Sequence, residues 1–175
     1  MLIKFLKRIN YKNKATSYSQ AGEDAILRFL FNDYGKKRIT YLDLGSNMPN
    51  YGNNTYWFYK NKSKGVCVDA DINLVNQIKK MRKRDTVIHS GISTSNESEG
   101  VFYLFDEPAL NTFSLKEVNA RIEEGNHKVV GKINVKLQNI NKIISENFET
   151  YPDLLSIDIE GLDFQVLNSL DYNKY

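Results

Sequence analysis

Two acidic residues separated by a single position, Asp158 and Glu160, lie near the end of the apolar segment Leu154 to Gly161. Alternate side chains of a strand point to the same face, so the spacing predicts that both carboxylates share one face. Such a pair can hold a divalent cation. Two carboxylates at the mouth of a sheet are costly unless they are paired, hydrated or bound to a cation. A structural alternative stays open, in which Glu160 caps the next helix and Asp158 accepts hydrogen bonds from backbone amides.

A glycine turn and a further carboxylate form the other candidate site. The run Asp43-Leu44-Gly45-Ser46-Asn47 ends one apolar stretch, and Asp69 ends the next one, 24 residues after Gly45. Glycine lets the backbone approach a ligand closely, and a carboxylate accepts two hydrogen bonds from the vicinal hydroxyls of a ribose. An acid about 20 residues after a glycine turn is typical of such sites. The fingerprint G-x-G-x-x-G and the Walker loop are absent. The glycine turn and Asp69 are therefore equally consistent with a plain turn and a capping aspartate that bind no ligand.

The elements that must position these residues are strands that alternate with helices. Apolar, β-prone runs predict four strands, over 39–45, 65–71, 86–93 and 154–161, with further strand-like pieces at 101–105 and 133–137. Continuous apolar strands that alternate with helices indicate an α/β fold around a parallel sheet. Ligands of such sheets bind outside the carboxyl ends of the strands, which is where the acids and the glycine stand.

Helical spacing of apolar residues places the helices between these strands. Ile26, Phe29 and Leu30 recur on one helix face, with Glu23 and Asp24 in the first turn, where the helix dipole favours anions. Asp71 is predicted to cap a second helix. A third helix is predicted from the apolar face formed by Ile140, Ile143, Ile144 and Phe148.

The composition limits the class of protein. With 175 residues, of which 41% are hydrophobic and 26% charged, the chain is expected to form one folded domain and not a disordered tail. Its longest apolar run, Val101 to Phe105, is far shorter than the about 18 residues that a membrane-spanning helix needs. One cysteine excludes a disulfide framework, and two histidines leave few ligands for a zinc site. A reducing, cytoplasmic setting is expected.

The positive charge is concentrated in two runs. Residues 1–14 and residues 79–84 each hold five basic and no acidic residues, and the rest of the chain holds 14 basic and 21 acidic residues. Neither run is interleaved with aromatic residues, so nucleic acid is not an expected partner. The run at 79–84 is predicted to be the solvated last turn of a helix. The first ten residues resemble a basic amphipathic helix, for which contact with an anionic membrane surface is one hypothesis and a frayed arm the favoured one.

Five blocks occur in order along the chain: SYSQAGEDAIL, YLDLGSNMPNYGNNTYWFY, GVCVDAD, HSGIS and LLSIDIEGLDFQVLNSLD. Together they resemble the FkbM family of S-adenosylmethionine-dependent methyltransferases. The resemblance implies a Rossmann-like class I methyltransferase sheet in three layers, α/β/α, with S-adenosylmethionine bound at the ends of the first strands. It also implies methyl transfer to oxygen on a carbohydrate or a secondary metabolite. We accordingly expect a basic arm over residues 1–16 and a single methyltransferase domain over residues 17–175.

The resemblance also implies roles for individual residues. Asp43 and Gly45 match the glycine loop under the methionine and ribose, and Asp69 matches the acid that binds the ribose hydroxyls. Asp158 and Glu160 match the D-x-E-G block that points at the methyl group, and the SQ-x-GED block is expected to fold over the pocket. The residues implied to contact the cofactor are Gln20, Glu23, Asp43, Gly45, Asn47, Asn54, Thr55, Asp69, Ala70, Ser90, Gly91 and Asp158.

The residue types fit methyl transfer to an alcohol. Carboxylates help to hold a positively charged sulfonium, and the alcohol must lose its proton as the new bond forms. Either Asp158 takes that proton, or Asp158 and Glu160 hold a divalent cation that acidifies the hydroxyl. In both cases Glu160 is the supporting partner. His89 in the third strand is interpreted as a buried core histidine and not as the base.

Two features depart from the family pattern. Gly45 is alone in its loop before Pro49 and Gly52, and the chain ends at Tyr175, soon after the helix that follows the fourth strand. Family members continue with a fifth strand, so we expect a sheet that lacks its C-terminal strands and has the fourth strand at its edge. A second hypothesis follows, in which the chain is a catalytically inactive cofactor-binding remnant or an interaction domain of the same fold.

Overall fold

The structure is a computed structural model, and it describes residues 16–95 and 97–174. The predicted basic arm over residues 1–16 lies outside the described residues except for its last residue. Residues 1–14, for which contact with a membrane surface is hypothesised, lie wholly outside them. Within the described part, every helix is too short or too polar to span a bilayer.

Seven strands and six α-helices follow one another along the described chain. The strands are β1 (Thr40–Leu44), β2 (Lys64–Asp69), β3 (Thr86–His89), β4 (Gly91–Ser93), β5 (Glu99–Phe105), β6 (Val129–Asn139) and β7 (Leu154–Ile157). The helices are α1 (Glu23–Asp33), α2 (Tyr56–Lys60), α3 (Ile72–Met81), α4 (Leu115–Glu123), α5 (Ile140–Asn147) and α6 (Asp163–Asn168), and a 3-10 turn covers Pro108–Leu110. Asp71, Ser114 and Asn139 cap α3, α4 and α5, because each side chain accepts a hydrogen bond from an amide of the first turn.

Four strands form a parallel central sheet in the order β3-β2-β1-β7. Leu44 at the end of β1 lies opposite Val68 of β2 and Ile157 of β7, so the carboxyl ends of these strands meet at one edge. The strand order reverses between β1 and β7, which is the switch point where ligands of such sheets bind. The sheet confirms the predicted Rossmann-like α/β fold.

Helices cover both faces of the central sheet, which gives the predicted three layers. On one face, Leu42 and Leu44 pack with Ile140 and Ile143 of α5 and with Val166 of α6. On the other face, a second core joins the central strands to α2 and α3, and its buried residues are Ile39, Tyr41, Phe58, Tyr59, Cys67 and Ile78. Each aliphatic side chain that is fully buried in these cores stabilises the fold by about 1.5–3 kcal/mol.

The predicted third strand over 86–93 is two strands in two sheets. β3 pairs with β2 in the central sheet, whereas β4 pairs with β6 in a second sheet of order β4-β6-β5. The change of sheet occurs at Ser90, whose amide donates to the carbonyl of Asp69 at 3.0 Å while its hydroxyl donates to that of Lys136 at 3.0 Å. Apolar periodicity continues across this point, so it cannot reveal that the pairing partner changes.

The first helix turns a different face to the core than its spacing suggests. Ile26 and Phe29 are 64% and 68% exposed, whereas Leu27 and Phe31 pack against the core that contains Phe58. Both sets of residues recur at helical spacing, because α1 is apolar over most of its circumference. The pattern therefore predicts the helix correctly but not its buried face.

Candidate functional site

A cleft opens at the carboxyl ends of the central strands, between them and the second sheet. It encloses about 710 Å³ of empty space, its open mouth included. Eight residues that the sequence singled out line this cleft: Gly45, Asn47, Asp69, Ala70, Ser90, Gly91, Asp158 and Glu160. The structure thus brings the glycine turn, the acid of β2 and the acids after β7 around one space.

Gly45 brings the turn after β1 against the chain that follows β7. Its φ of +76° lies in the left-handed region, and a Cβ at this position would come within 1.9 Å of the carbonyl oxygen of Asp158. Its amide donates to the carbonyl of Val68 at 2.9 Å, which fixes the turn over the end of β2. Only glycine allows this approach, because any other residue would force the two walls of the cleft apart.

Asp69 ties the glycine turn to the start of α3. The side chain is only 7% exposed, one of its oxygens accepts from the amide of Asn47 at 2.8 Å, and the other accepts from that of Asp71 at 2.8 Å. Burial raises the pKa of this carboxyl to about 6, although both amides act in the opposite direction. Each oxygen keeps a lone pair for a further donor, so the group can still bind two hydroxyls of a ligand.

Glu160 does not share a strand face with Asp158, contrary to the prediction from their spacing. β7 ends at Ile157, and Glu160 has a φ of +57°, so strand alternation does not extend to it. Its carboxylate forms an ion pair with Arg121 of α4 at 2.6 Å, and its carbonyl accepts from Thr112 at 2.7 Å. Glu160 therefore links the end of β7 to the segment that leads into α4.

Neither part of the structural alternative for these two acids is found. The backbone amides of Ile159 and Gly161 donate to Asp163, at 3.0 and 3.1 Å, so Asp163 and not Glu160 holds the turn before α6. Asp158 is exposed in the cleft, and no backbone amide donates to its side chain among the described hydrogen bonds.

The pKa of Asp158 is raised above its ordinary value. The largest cause is the loss of part of its hydration to surrounding protein atoms, even though the side chain remains open to the cleft. The negative charges of Glu160, Asp163, Asp43 and Glu23 raise the pKa further, in that order. A carboxylate with a raised pKa is a stronger base once it is ionised, which suits proton removal from a hydroxyl.

Asp43, Thr55 and Asn54 do not line the cleft, although the family resemblance implies that they contact the cofactor. The carboxylate of Asp43 is buried and accepts from Thr55 at 2.7 Å and from Asn53 at 3.3 Å, and burial raises its pKa. Asn54 donates to the hydroxyl of Ser156 at 3.2 Å. Asp43 and Thr55 belong to the buried network beneath the glycine turn, whereas Asn54 contacts β7.

The predicted residues of the SQ-x-GED block lie at the surface. Gln20 and Glu23 are exposed and do not line the cleft, although the charge of Glu23 acts on Asp158. The buried residue of the block is Asp24, which accepts from the hydroxyls of Ser17 and Ser19 and from the amide of Tyr18. Closure of this block over a bound cofactor stays a prediction.

Arg82 is the supporting residue that the sequence analysis missed. The basic run at 79–84 is not wholly solvated, because α3 ends at Met81 and the side chain of Arg82 is 0% exposed. Its guanidinium pairs with Asp85 at 2.7 Å and donates to Tyr41 at 3.0 Å and to Thr55 at 2.8 Å. The sequence does contain one signal for this role, because Asp85 lies three positions after Arg82 and gives it a local partner.

Arg82 is also connected to the glycine turn. It donates to the side-chain oxygen of Asn53 at 3.1 Å, and the amide of the same side chain donates to the carbonyl of Ser46 at 2.8 Å. Arg82 lies 4.0 Å from the carboxylate of Asp43. This buried network therefore fixes the residues on either side of Gly45 from below.

Two other predicted features differ in the structure. His89 is exposed rather than buried, and its Nε2 lies 3.0 Å from the carbonyl oxygen of Ala70. No group of three or more His, Cys, Asp or Glu side chains in residues 16–95 and 97–174 is arranged to hold a metal ion. Of the two acids predicted to bind a cation, Glu160 has its carboxylate engaged by Arg121.

The parallel sheet, its switch point and the acids around one cleft define a Rossmann-like enzyme domain. A family model described as the methyltransferase FkbM domain matches residues 43–174, which is most of the chain. The protein belongs to this family and is a methyltransferase. No curated protein and no solved structure gives a significant match.

Proposed function

We propose that the protein transfers a methyl group from S-adenosylmethionine to a hydroxyl group, and that the acceptor is a carbohydrate or a secondary metabolite. The observation that carries the proposal is the cleft in which Gly45, Asp69 and Asp158 lie together at the switch point of a methyltransferase sheet. When bound, S-adenosylmethionine supplies an electrophilic methyl group on a cationic sulfur.

The residues of the cleft fit an adenosyl cofactor. The two oxygens of Asp69 can accept hydrogen bonds from the ribose hydroxyls, and Gly45 lines the cleft beside Asp69, where the chain that joins ribose to methionine would lie. Beyond Ser90, the side chains of Phe102 and Phe113 offer an apolar surface for a flat base. The carboxylate of Asp158 provides negative charge where a sulfonium would need it.

Asp158 is assigned as the general base and Glu160 as its supporting residue. Asp158 is exposed to the cleft, and its pKa is raised, which favours proton removal from an alcohol. The alternative, in which both acids hold a divalent cation, would require Glu160 to give up its ion pair with Arg121. The engaged state of Glu160 therefore favours Asp158 alone as the proton acceptor.

The test of the function is turnover by the full chain. We expect S-adenosylhomocysteine to accumulate when the protein is incubated with S-adenosylmethionine and an effective member of a panel of neutral sugars and polyols. A matched panel of amines of similar size is the control. Transfer to amines alone would contradict methylation of oxygen, and saturable cofactor binding without any turnover would favour the inactive cofactor-binding domain.

Replacement of Asp69 by alanine is expected to weaken binding of S-adenosylhomocysteine by about 10- to 100-fold. The loss corresponds to about 1.5–3 kcal/mol for hydrogen bonds to a charged group. Isothermal titration calorimetry measures it, with the exposed and distant Asp33→Ala as the control that should bind like the unaltered protein. Equal affinity of the Asp69 variant and the control would contradict the assigned role.

The raised pKa of Asp69 predicts that the affinity for S-adenosylhomocysteine falls in acid. The ionised carboxylate is the form that accepts from two hydroxyls, and protonation through a pKa of about 6 removes that form. Binding should therefore be about tenfold weaker at pH 5 than at pH 7. Asp69→Asn should show no such dependence over this range, and a parallel fall in both proteins would contradict the assignment.

A further inference from the structure

A second cavity lies next to the cofactor cleft and shares a wall with it. Three residues line both spaces: Ile92, Phe113 and Leu162. The far side of the second cavity is formed by the strand β5 and the turn before it, and it is open to solvent. The side chains that separate the two spaces therefore include these three.

The ring of Phe113 packs directly on backbone that carries no side chain. A Cβ at Gly91 would lie 2.4 Å from this ring, and a Cβ at Gly100 would lie 3.3 Å from it. On the cleft side, the ring of Phe102 has its centroid 4.6 Å away at a tilt of 37°. Because neither glycine carries a side chain, the ring of Phe113 and the side chain of Leu137 fill this space together.

The backbone around Phe113 is held without help from its ring. The hydroxyl of Thr112 donates to the carbonyl of Glu160 and accepts from the amide of Ser114, at 2.7 and 2.9 Å. The amide of Tyr103 donates to the carbonyl of Thr112 at 2.9 Å. A smaller side chain at position 113 should therefore open the wall while the segment stays in place.

We propose that Phe113 limits the length of the base that the cleft accepts, and that the second cavity would receive a substituent on the far edge of that base. The inference rests on the proposed function, because it assigns the ribose to Asp69 and hence the base to the region beyond Ser90. The far edge of adenine carries the exocyclic N6 amine. Phe113 is thus a specificity-determining residue for the cofactor, and it excludes purine nucleosides that are enlarged at N6.

The test compares S-adenosylhomocysteine with its N6-benzyl derivative by calorimetry on the full chain. The unaltered protein should bind the benzyl derivative about 10- to 100-fold more weakly, which is the range expected for a group forced into a packed wall. Phe113→Ala should bind the two compounds with comparable affinity. Phe113→Leu should give an intermediate ratio, and it serves as the readout if the alanine variant does not fold.

Tyr103→Ala is the matched control, because Tyr103 lines the second cavity but not the cleft. It enlarges the cavity without opening the wall, so the ratio of the two affinities should stay that of the unaltered protein. Equal binding of both compounds by the unaltered protein, or an unchanged ratio in both Phe113 variants, would overturn the inference alone. Failure of the unaltered protein to bind S-adenosylhomocysteine would overturn the proposed function with it.

Discussion

Replacement of Arg82 by methionine is expected to lower the free energy of unfolding by about 3–5 kcal/mol, since removal of one partner leaves buried charges uncompensated. Asp85 and Asp43 both face this guanidinium, and the side chain of Asp85 is 0% exposed. The hydrogen bonds from Arg82 to Tyr41 and Thr55 would be lost as well. A loss of this size is a large part of the stability of an ordinary domain. Urea denaturation followed by circular dichroism measures it.

Lys83→Met is the control for this substitution. It removes the same charge from the next position of the basic run, but Lys83 is exposed, so the unfolding free energy should change by less than about 0.5 kcal/mol. Similar stabilities of the two variants would mean that Arg82 is not the compensating charge of the buried network.

Asp158→Asn is expected to lower the turnover number by about 10²- to 10⁴-fold, the usual contribution of a general base. The amide keeps the shape of the side chain but cannot take a proton from the acceptor. The affinity for S-adenosylhomocysteine should change little, because the sulfur of this product carries no positive charge. Steady-state rates with a hydroxyl acceptor, together with calorimetry, separate the two effects.

Stability provides a further readout for the same variant. The pKa of Asp158 is raised in the folded protein, so its ionised form disfavours folding at pH values above the pKa of the unfolded chain. Asp158→Asn should therefore unfold at the same temperature as the unaltered protein at pH 7, or at a higher one. Turnover retained by this variant would contradict the role of Asp158 as a base, and a clear loss of stability would contradict the raised pKa of its carboxyl.

The sequence predicts the parts of the molecule that depend on local patterns. The four apolar strands and their parallel arrangement follow from continuous hydrophobic runs, and the cap at Asp71 follows from one polar residue before a helix. Gly45 and Asp69 reach the same cleft because the carboxyl ends of parallel neighbours must meet. These features need no knowledge of distant contacts.

The features that the sequence does not predict depend on partners far along the chain. The sequence predicts that Arg82 is one more solvated base of its run. The fold instead places Tyr41, Thr55 and Asn53 around it. The sequence predicts that Glu160 continues the strand. In the structure it pairs instead with Arg121, 39 residues earlier in the chain. Local spacing cannot reveal either environment, because in both cases the partner is supplied by a different element.

An amide NMR titration of the full chain with S-adenosylhomocysteine tests most directly whether this cleft binds an adenosyl group. We expect saturable shifts that cluster at the turn after β1, at the end of β2, at the junction of β3 and β4 and just after β7. The exposed end of α1, near Asp33, should stay unchanged. Absence of any saturable shift, or shifts confined to surfaces away from Gly45 and Asp69, would contradict the claim that this cleft binds an adenosyl group.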